Sequence, residues 1–541
     1  MQRHSTPEQS GGAPEQSGGA PEPPGEASEP PGEASEPPGG AKPLAASATR
    51  RRRPLAIALL ATVAILAPLA WLWYSSLLPD RYSVMEMGHL DYGGGPAAAS
   101  PDPAHGQHAE GNATSVADLV LDQQQPADVH VTLEARQETF QLASGRTVDG
   151  YTLNGQSPGP TIEAVQGQLV EVRLRNESVA EGTTLHWHGV DVPNAEDGVA
   201  GVTQDAVAVG DEYVYRFLAD KPGTYWYHSH QKSHQQVPGG MLGPLVIAPK
   251  SQDEKVLDQL ALVHIYDGVR TVNGFEGDIS VSAEPGSRVR IRVINTDNGP
   301  MTVWTGSAYR LLAVDGWDLN KPTEVIDQSL VVTAGGRSDL EIEMPEDGSG
   351  VRVQLGATNA LVLGGTSADV PHPPQPDTSL DLLSYGSPAA LGFDPTSADR
   401  SFEYSVGRRP GFVNGRPGLW WSINGDLFPD VPMFVVREGD IVRMQIENNS
   451  GDVHPMHLHG HHMVVLSRNG EESTGSPWWV DSLNVADGES YDLAFVADNP
   501  GIWMDHCHHL PHAAQGLVAH LMYEGVTAPY LIGEDTGNTP E

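Results

Sequence analysis

One pattern occurs three times along this 541-residue chain, and it restricts the fold more than any other feature. An Asn-Gly pair is followed by a second Gly and, nine residues after that Gly, by an Asn. The copies run from Asn154-Gly155 through Gly167 to Asn176, from Asn273-Gly274 through Gly286 to Asn295, and from Asn424-Gly425 through Gly439 to Asn448. Between the second Gly and the closing Asn lie QLVEVRLRN, SRVRIRVIN and DIVRMQIEN, which place Val, Ile and Leu on one face and charge on the other. Such strands bury one face only and need a second sheet to cover it, so each copy predicts one sandwich or barrel domain of about 120 to 140 residues. The predicted domains are 126–250, 251–395 and 396–530. The 60 Gly and 44 Pro suit such a turn-rich β protein.

The first 125 residues have a different character. Residues 1–49 hold near-repeats of PEQSGG and EPPGEAS with almost no large apolar side chains, which predicts a disordered tail. Arg50 to Arg53 then precede an uncharged apolar run, Leu55 to Tyr74, long enough to span a bilayer. Residues 54–78 therefore read as a transmembrane anchor, with Trp71, Trp73 and Tyr74 at the far interface and the basic residues on the cytoplasmic side. A cleaved export signal with twin arginines is the competing reading, although the nearest small-residue site, Ala97 to Ala99, comes some 20 residues later. Either way the bulk of the chain works outside the cytoplasm, at the membrane or secreted. Residues 79–125 read as a linker; Met85, Met87, His89, His105 and His108 in it either hold copper loosely or are ordinary linker residues. The formal net charge of -39 excludes nucleic acid as a partner.

Cys507 is the only cysteine and sits between His506 and His508. Alone it forms no internal disulfide, which leaves a core residue, a nucleophile or a metal ligand. On a strand, His506 and His508 face one side and Cys507 the other, so one tripeptide serves two sites. Matching segments lie in copies one and three: LHWHGV beside HPMHLHGHH, and PGTYWYHSHQKSH beside PGIWMDHCHHLPH. Copy two has PMTVWTG where the first pair has histidines. Parity then groups His186 with His188, His228 with His230, His457 with His459, and His506 with His508. These eight imidazoles suffice for three metal ions with open positions. His454, three residues before His457, faces the Cys507 side, and His512 can loop back to complete a His2Cys set suited to a blue-copper site. Ser229 stands in copy one where Cys507 stands in copy three, and His234 where His512 stands. His4, His130, His264, His372, His461, His462, His509 and His520 read as surface or core residues.

With LHWHGV, WYHSH, HPMHLHG and HCHHLPHAAQGL all present, residues 125–525 resemble a three-domain multicopper oxidase of the laccase-like superfamily, in its membrane-anchored bacterial form. The resemblance implies an all-β fold of three cupredoxin-like Greek-key domains, the second without copper ligands, and four copper ions. By position, His454, Cys507 and His512 resemble the type 1 ligands, and His186 and His457 the type 2 pair. His188, His228 and His508 resemble one type 3 set and His230, His459 and His506 the other. The implied reaction couples one-electron oxidation of a small reducing substrate, a phenol or aromatic amine, to four-electron reduction of O2 to water, with Cys507, His506 and His508 as the electron path. Oxidation of Cu(I) or Fe(II) is the first alternative; a copper nitrite reductase and a non-enzymatic envelope scaffold are others. Asp197, eleven residues after His186, either matches a proton-relaying carboxylate of bacterial relatives or is a solvated turn residue in EDGVAG. Two positions depart from those relatives. Ala513 replaces a carboxylate, and Leu517 replaces an axial Met, which raises the type 1 potential.

Overall fold

A computed structural model describes residues 49–95, 113–251, 256–366 and 369–541, with side chains beyond the first helical turns from Leu55 on. The expected disordered tail before Thr49, with His4, and the linker histidines His105 and His108 lie outside the described residues. The chain divides into two units, residues 1–66 and 67–541. A helix runs from Thr49–Ser75, and its segment Leu55–Ser75, with a mean hydropathy of 2.4, is long and apolar enough by length and composition to cross a membrane.

The repeat corresponds to one topology built three times. In each copy a hairpin leads into the Asn-Gly turn, and its first strand pairs in parallel with the strand that ends at the closing Asn: Val129 with Val170, Val256 with Arg288, and Arg400 with Val442 open the three registers. The turn Asn takes a left-handed φ of 57°, 50° and 53° at Asn154, Asn273 and Asn424. Asn pays little for that conformation because its side chain bonds locally. Each of these side chains also clamps the incoming strand. Asn154 accepts from Glu134 N and donates to Thr132 O, Asn273 does the same with Leu262 and Leu260, and Asn424 with Ser405 and Glu403.

The closing Asn does different work. Asn176, Asn295 and Asn448 are buried, and each Nδ2 donates to a backbone carbonyl beyond its own sheet, Val207 of a bridge to Thr183 in the first copy and Val332 and Val485 of the opposite sheet in the others, at 2.8, 3.0 and 2.9 Å. A polar side chain in an apolar sandwich persists only when satisfied in this way. The apolar faces read from QLVEVRLRN and its counterparts supply the core, with Val170, Val172, Leu174, Val289, Ile291, Val442 and Met444 all fully buried.

Two short sheets position everything that follows. In the first sandwich the order is Ile162–Val165, Leu242–Ala248, Gly223–His228, His186–His188; in the third it is His89–Asp91, Pro432–Val436, Val518–Tyr523, Ile502–Cys507, His454–Leu458, Ser482–Val485. The third sheet corrects one expectation. Part of the segment read as a linker, 79–125, belongs to the sandwich: His89–Asp91 is an edge strand parallel to Pro432–Phe434, and Thr114–Ser115 pairs with Val526–Thr527. Val84 and Met87 are buried, and His89 Nδ1 bonds Asp430 O at 3.2 Å, so these residues pack or pair and do not form a loose copper-binding group. A three-residue strand flanked by Gly carries no periodicity from which to read it.

Replacing Asn295 by Ala tests the clamp in the one domain without histidine pairs. The carbonyls of Gly299 and Val332 lose their donor, and the metal-free protein is expected to lose about 1 to 3 kcal/mol in urea denaturation.

Candidate metal centre

Strand register brings the histidines together. In the first sandwich His186 lies opposite His228, and in the third His457 lies opposite His506 while Met456 lies opposite Cys507. Eight buried imidazoles, four from each sandwich, therefore face one another. Their donor atoms fall into the sets His186, His188, His457; His188, His228, His508; and His230, His459, His506, each within 4.8 Å. Within the last set, Nε2 of His506 is 3.4 Å from Nε2 of His230 and 3.2 Å from Nε2 of His459.

The other face of Ile502–Cys507 holds a separate group. Cys507 Sγ is 3.5 Å from His454 Nδ1 and 3.8 Å from His512 Nδ1, and these two nitrogens are 3.2 Å apart. His512 arrives from the short helix Leu510–Ala513, whose turn is closed by Leu517 N donating to His512 O, and Cys507 N donates to Leu517 O at 3.1 Å. Leu517 is fully buried. Trp421 lies with its ring 4.7 Å from His454 and 4.4 Å from His512, and His509 stacks on His512 at 3.7 Å. The counterpart place in the first sandwich contains Thr183 and Ser229, bonded to each other and both to Gln236 Oε1. His234 is half-buried there and contacts Gln235.

Carboxylates hold the rings from behind. Asp197 is fully buried and bonds Nδ1 of both His186 and His459, at 3.1 Å each through Oδ1 and Oδ2. Its solvated-turn alternative is thereby excluded. Asp481 lies 3.2 Å from His188 Nε2, and its backbone carbonyl is 2.8 Å from His457 Nδ1. The second sandwich, though without ligand histidines, supplies Arg337, which grips both Asp481 oxygens and is fully buried. Its Gly335 approaches so closely that a Cβ there would meet His188 Cε1 at 2.8 Å.

Burial keeps the rings neutral. It drives the pKa of His188 down to about 3, against the pull of Asp481, and pushes His228, His230, His457, His459 and His508 well below the ordinary imidazole range. His454 falls to about 4 and His512 to about 3 by the same cause. Burial likewise pushes the Cys507 thiol well up, so a thiolate there requires a cation. Neutral imidazoles and a thiol that ionises against a cation make a metal-binding donor set.

Comparison with known proteins agrees. Multicopper oxidase family profiles match residues 134–252 and 396–525. An iron transport multicopper oxidase of Epichloe festucae, fetC, is 27% identical over 68% of this chain and 72% of its own; laccase-4 of Trametes villosa is 26% identical over 66% and 84%. The crystal structure of a multi-copper oxidase from Pseudomonas thermotolerans superposes with a TM-score of 0.61 at 25% identity, covering 74% of this chain and all of that one. The chain belongs to the multicopper oxidase family. Its three sandwiches are cupredoxin-like, and its cofactor is four copper ions, one type 1, one type 2 and a type 3 pair.

The residues of this oxidase fit that cofactor. Both ring nitrogens of His508, Nε2 of His228 and Nδ1 of His188 are buried without a protein partner. Orphaned acceptors cost about 1 to 3 kcal/mol each in a dry interior unless a cation takes their lone pairs. Several supporting residues carried no sequence signal: Asp481 and Arg337 lie far along the chain from the ligands they serve, and Trp421 occurs in an exposed-looking hairpin.

His462, read as a surface or core residue, is buried within 3.3 Å of Asp191 and 3.2 Å of Asp481. Burial opposes its charge, but the two carboxylates outweigh it and raise the pKa from 6.5 to about 9. A raised folded-state pKa means the proton stabilises the fold below about pH 6.5 and that the gain is lost as pH rises through 9. Denaturation of the metal-free oxidase at a series of pH values is expected to show about 3 kcal/mol lost across that window, and His462→Gln to abolish the dependence.

Proposed function

We propose that this multicopper oxidase takes electrons from phenols or aromatic amines at the Cys507 set and delivers them to O2 at the eight-histidine set. The observation that supports this donor class is a cavity of about 540 Å³ against the turn that follows His512, lined by Trp420, Phe428, Met504, Ala513 and Val518, with Arg416, Gln515 and His520 among its polar members and Glu541 its single acid. A largely apolar wall whose one acid is accompanied by an arginine accepts an aromatic ring and offers a bare cation little to bind.

In this reading Cys507, His454 and His512 hold the type 1 copper, and His186 and His457 the type 2 copper. His188, His228 and His508 hold one type 3 copper, and His230, His459 and His506 the other. Bound copper supplies the one-electron redox chemistry, four electrons and four protons turning one O2 into two waters. The protein supplies the rest. Cys507 is joined through its own backbone to His506 and His508, a path of a few covalent bonds. The Leu517 side chain offers no donor atom, so His454, Cys507 and His512 would be the side chains that hold this copper, and the lack of a thioether would raise its potential. Trp421 packs on His454 and His512 and His509 stacks on His512, leaving His454 buried and His512 partly open to a donor in solvent. Asp197 holds the Nδ1 protons of His186 and His459, and burial raises its pKa against the opposing pull of His186, so it can keep a proton beside the site where protons are consumed. The helix Leu55–Ser75 serves as an anchor with Arg50 to Arg53 on the cytoplasmic side, and the oxidase acts extracytoplasmically.

Oxidation of Fe(II) or Cu(I) is the second reading. Asp452 and Asp487 act electrostatically on His512 and His454, and one relative is named for iron transport. Nitrite reduction, which needs no type 3 pair, leaves the six imidazoles of that pair without a use, and a scaffold role leaves all eight.

O2 uptake measured with phenols, aromatic amines, Fe(II), Cu(I) and Mn(II) in parallel decides between donors. The expected outcome is turnover of phenols at four donors per O2; faster turnover of a metal ion than of any phenol would establish the second reading. Cys507→Ser is expected to remove the blue absorbance and reduce turnover to background while the eight-histidine set keeps its copper. His188→Ala is expected to keep the blue absorbance and lose O2 reduction. Full activity in Cys507→Ser would refute the electron path.

A further inference from the structure

Residues 537–541 are tied to the turn that follows His230. Thr539 N donates to Gln231 Oε1 at 2.9 Å, Lys232 N donates to Thr539 O at 2.6 Å, and Gln231 Nε2 donates to Gly537 O at 2.7 Å. So held, the segment brings the carboxylate of Glu541 to the rear of the histidine set. Glu541 Oε1 is 3.0 Å from His506 Nδ1 and 3.7 Å from His230 Nε2, and Oε2 accepts from Ser233 Oγ. The side chain is only 9% exposed, and the 3.0 Å approach is an ion-pair contact: neither Glu541 Oε1 nor His506 Nδ1 makes a hydrogen bond, with the other or with any other group.

We propose that Glu541 is a positioning residue for the O2-reducing site: its carboxylate, 3.0 Å from His506 Nδ1, draws the ring proton to that nitrogen by its charge and so presents the Nε2 lone pair toward His230 and His459. An imidazole carries one proton on either nitrogen, and the partner of one nitrogen decides what the other offers. In the set His230, His459, His506 the Nε2 atoms converge, so each ring needs its proton on Nδ1. Asp197 meets that need for His459. Glu541 meets it for His506, from a segment far away in the fold's connectivity and independent of Asp197. Ala513, which follows His512, lines the same cavity as Glu541 and brings no carboxylate to it. The inference rests on the copper reading above and adds a residue that none of the family's histidine motifs contains.

The test is a copper titration of the metal-free full-length protein, comparing parent, Glu541→Ala and Glu541→Gln. Total copper minus copper visible by electron paramagnetic resonance reports the coupled type 3 pair, and the blue absorbance reports the Cys507 set. Glu541→Ala is expected to weaken filling of the type 3 pair about 10- to 100-fold while the blue absorbance fills as in the parent. Glu541→Gln, whose amide oxygen faces His506 Nδ1 with a partial negative charge from the same place, is expected to restore most of the loss. Equal melting temperatures of the three metal-free proteins show that the fold is common to them; Thr539 and Lys232 hold the segment without the carboxylate. Unchanged type 3 filling in Glu541→Ala would overturn the proposal alone, as would a Gln variant as impaired as the Ala variant. A parent that takes up no copper would overturn the copper reading and the proposal together.

Discussion

The register of one antiparallel strand pair, Ile502–Cys507 against His454–Leu458, carries both metal sites. With His457 opposite His506 and Met456 opposite Cys507, alternate side chains go to opposite faces, so the thiol and the imidazoles beside it serve different sites across a single backbone. A slip of one residue would exchange the faces and destroy both sites at once. Such a slip is opposed on either side, because Ile502–Cys507 also pairs with Val518–Tyr523, and His454–Leu458 with Ser482–Val485. Asn448, reaching Val485 O, ties this sheet to the other layer of the same sandwich.

The eight histidines come from the first and third sandwiches, yet the second is bound into the same site. Arg337 from the second sandwich grips Asp481 of the third, Asp481 holds His188 of the first, and His462 links Asp481 back to Asp191 of the first. A buried ion pair of this kind adds little net stability over an apolar packing, but removing one member leaves an uncompensated charge and costs about 3 to 5 kcal/mol. The network is therefore better understood as fixing the relative placement of ligands from separate domains. Gly335, pressed against His188 and His508, shows how closely the ligand-free domain approaches the imidazoles.

Much of this was legible in the chain because it is written at short range. The threefold Asn-Gly pattern predicts one sandwich per copy, since the turn Asn and the closing Asn each have a fixed structural duty, and parity along four short segments groups the eight histidines in pairs; their division into ligand sets is what the family resemblance implies. Asp197 stayed open between two roles because its distance from His186 in sequence says nothing of burial; its contact with His459 of another domain removes the solvated-turn alternative. Asp481, Arg337 and Glu541 were illegible for a related reason. Their contacts join segments far apart in the chain, with no periodicity and no nearby motif. The edge strand His89–Asp91 was missed because three residues are too few for alternation to register.

The first sandwich shows what the metal-binding frame becomes without its ligands. Thr183 and Ser229 occupy the places of His454 and Cys507, and both bond Gln236, whose Nε2 donates to Gly182 O at 2.8 Å. Every polar atom of the group has a partner, so the interior there is satisfied and calls for no cation. The Cys507 site is the reverse: a buried thiol and two imidazoles with little to bond but one another. A thiol at 229 alone would not convert one into the other, because Thr183 offers no imidazole and Gln236 fills the space. The same backbone thus supports a closed hydrogen-bond cluster in one copy and an open donor set in another, and the difference lies in whether the side chains satisfy themselves.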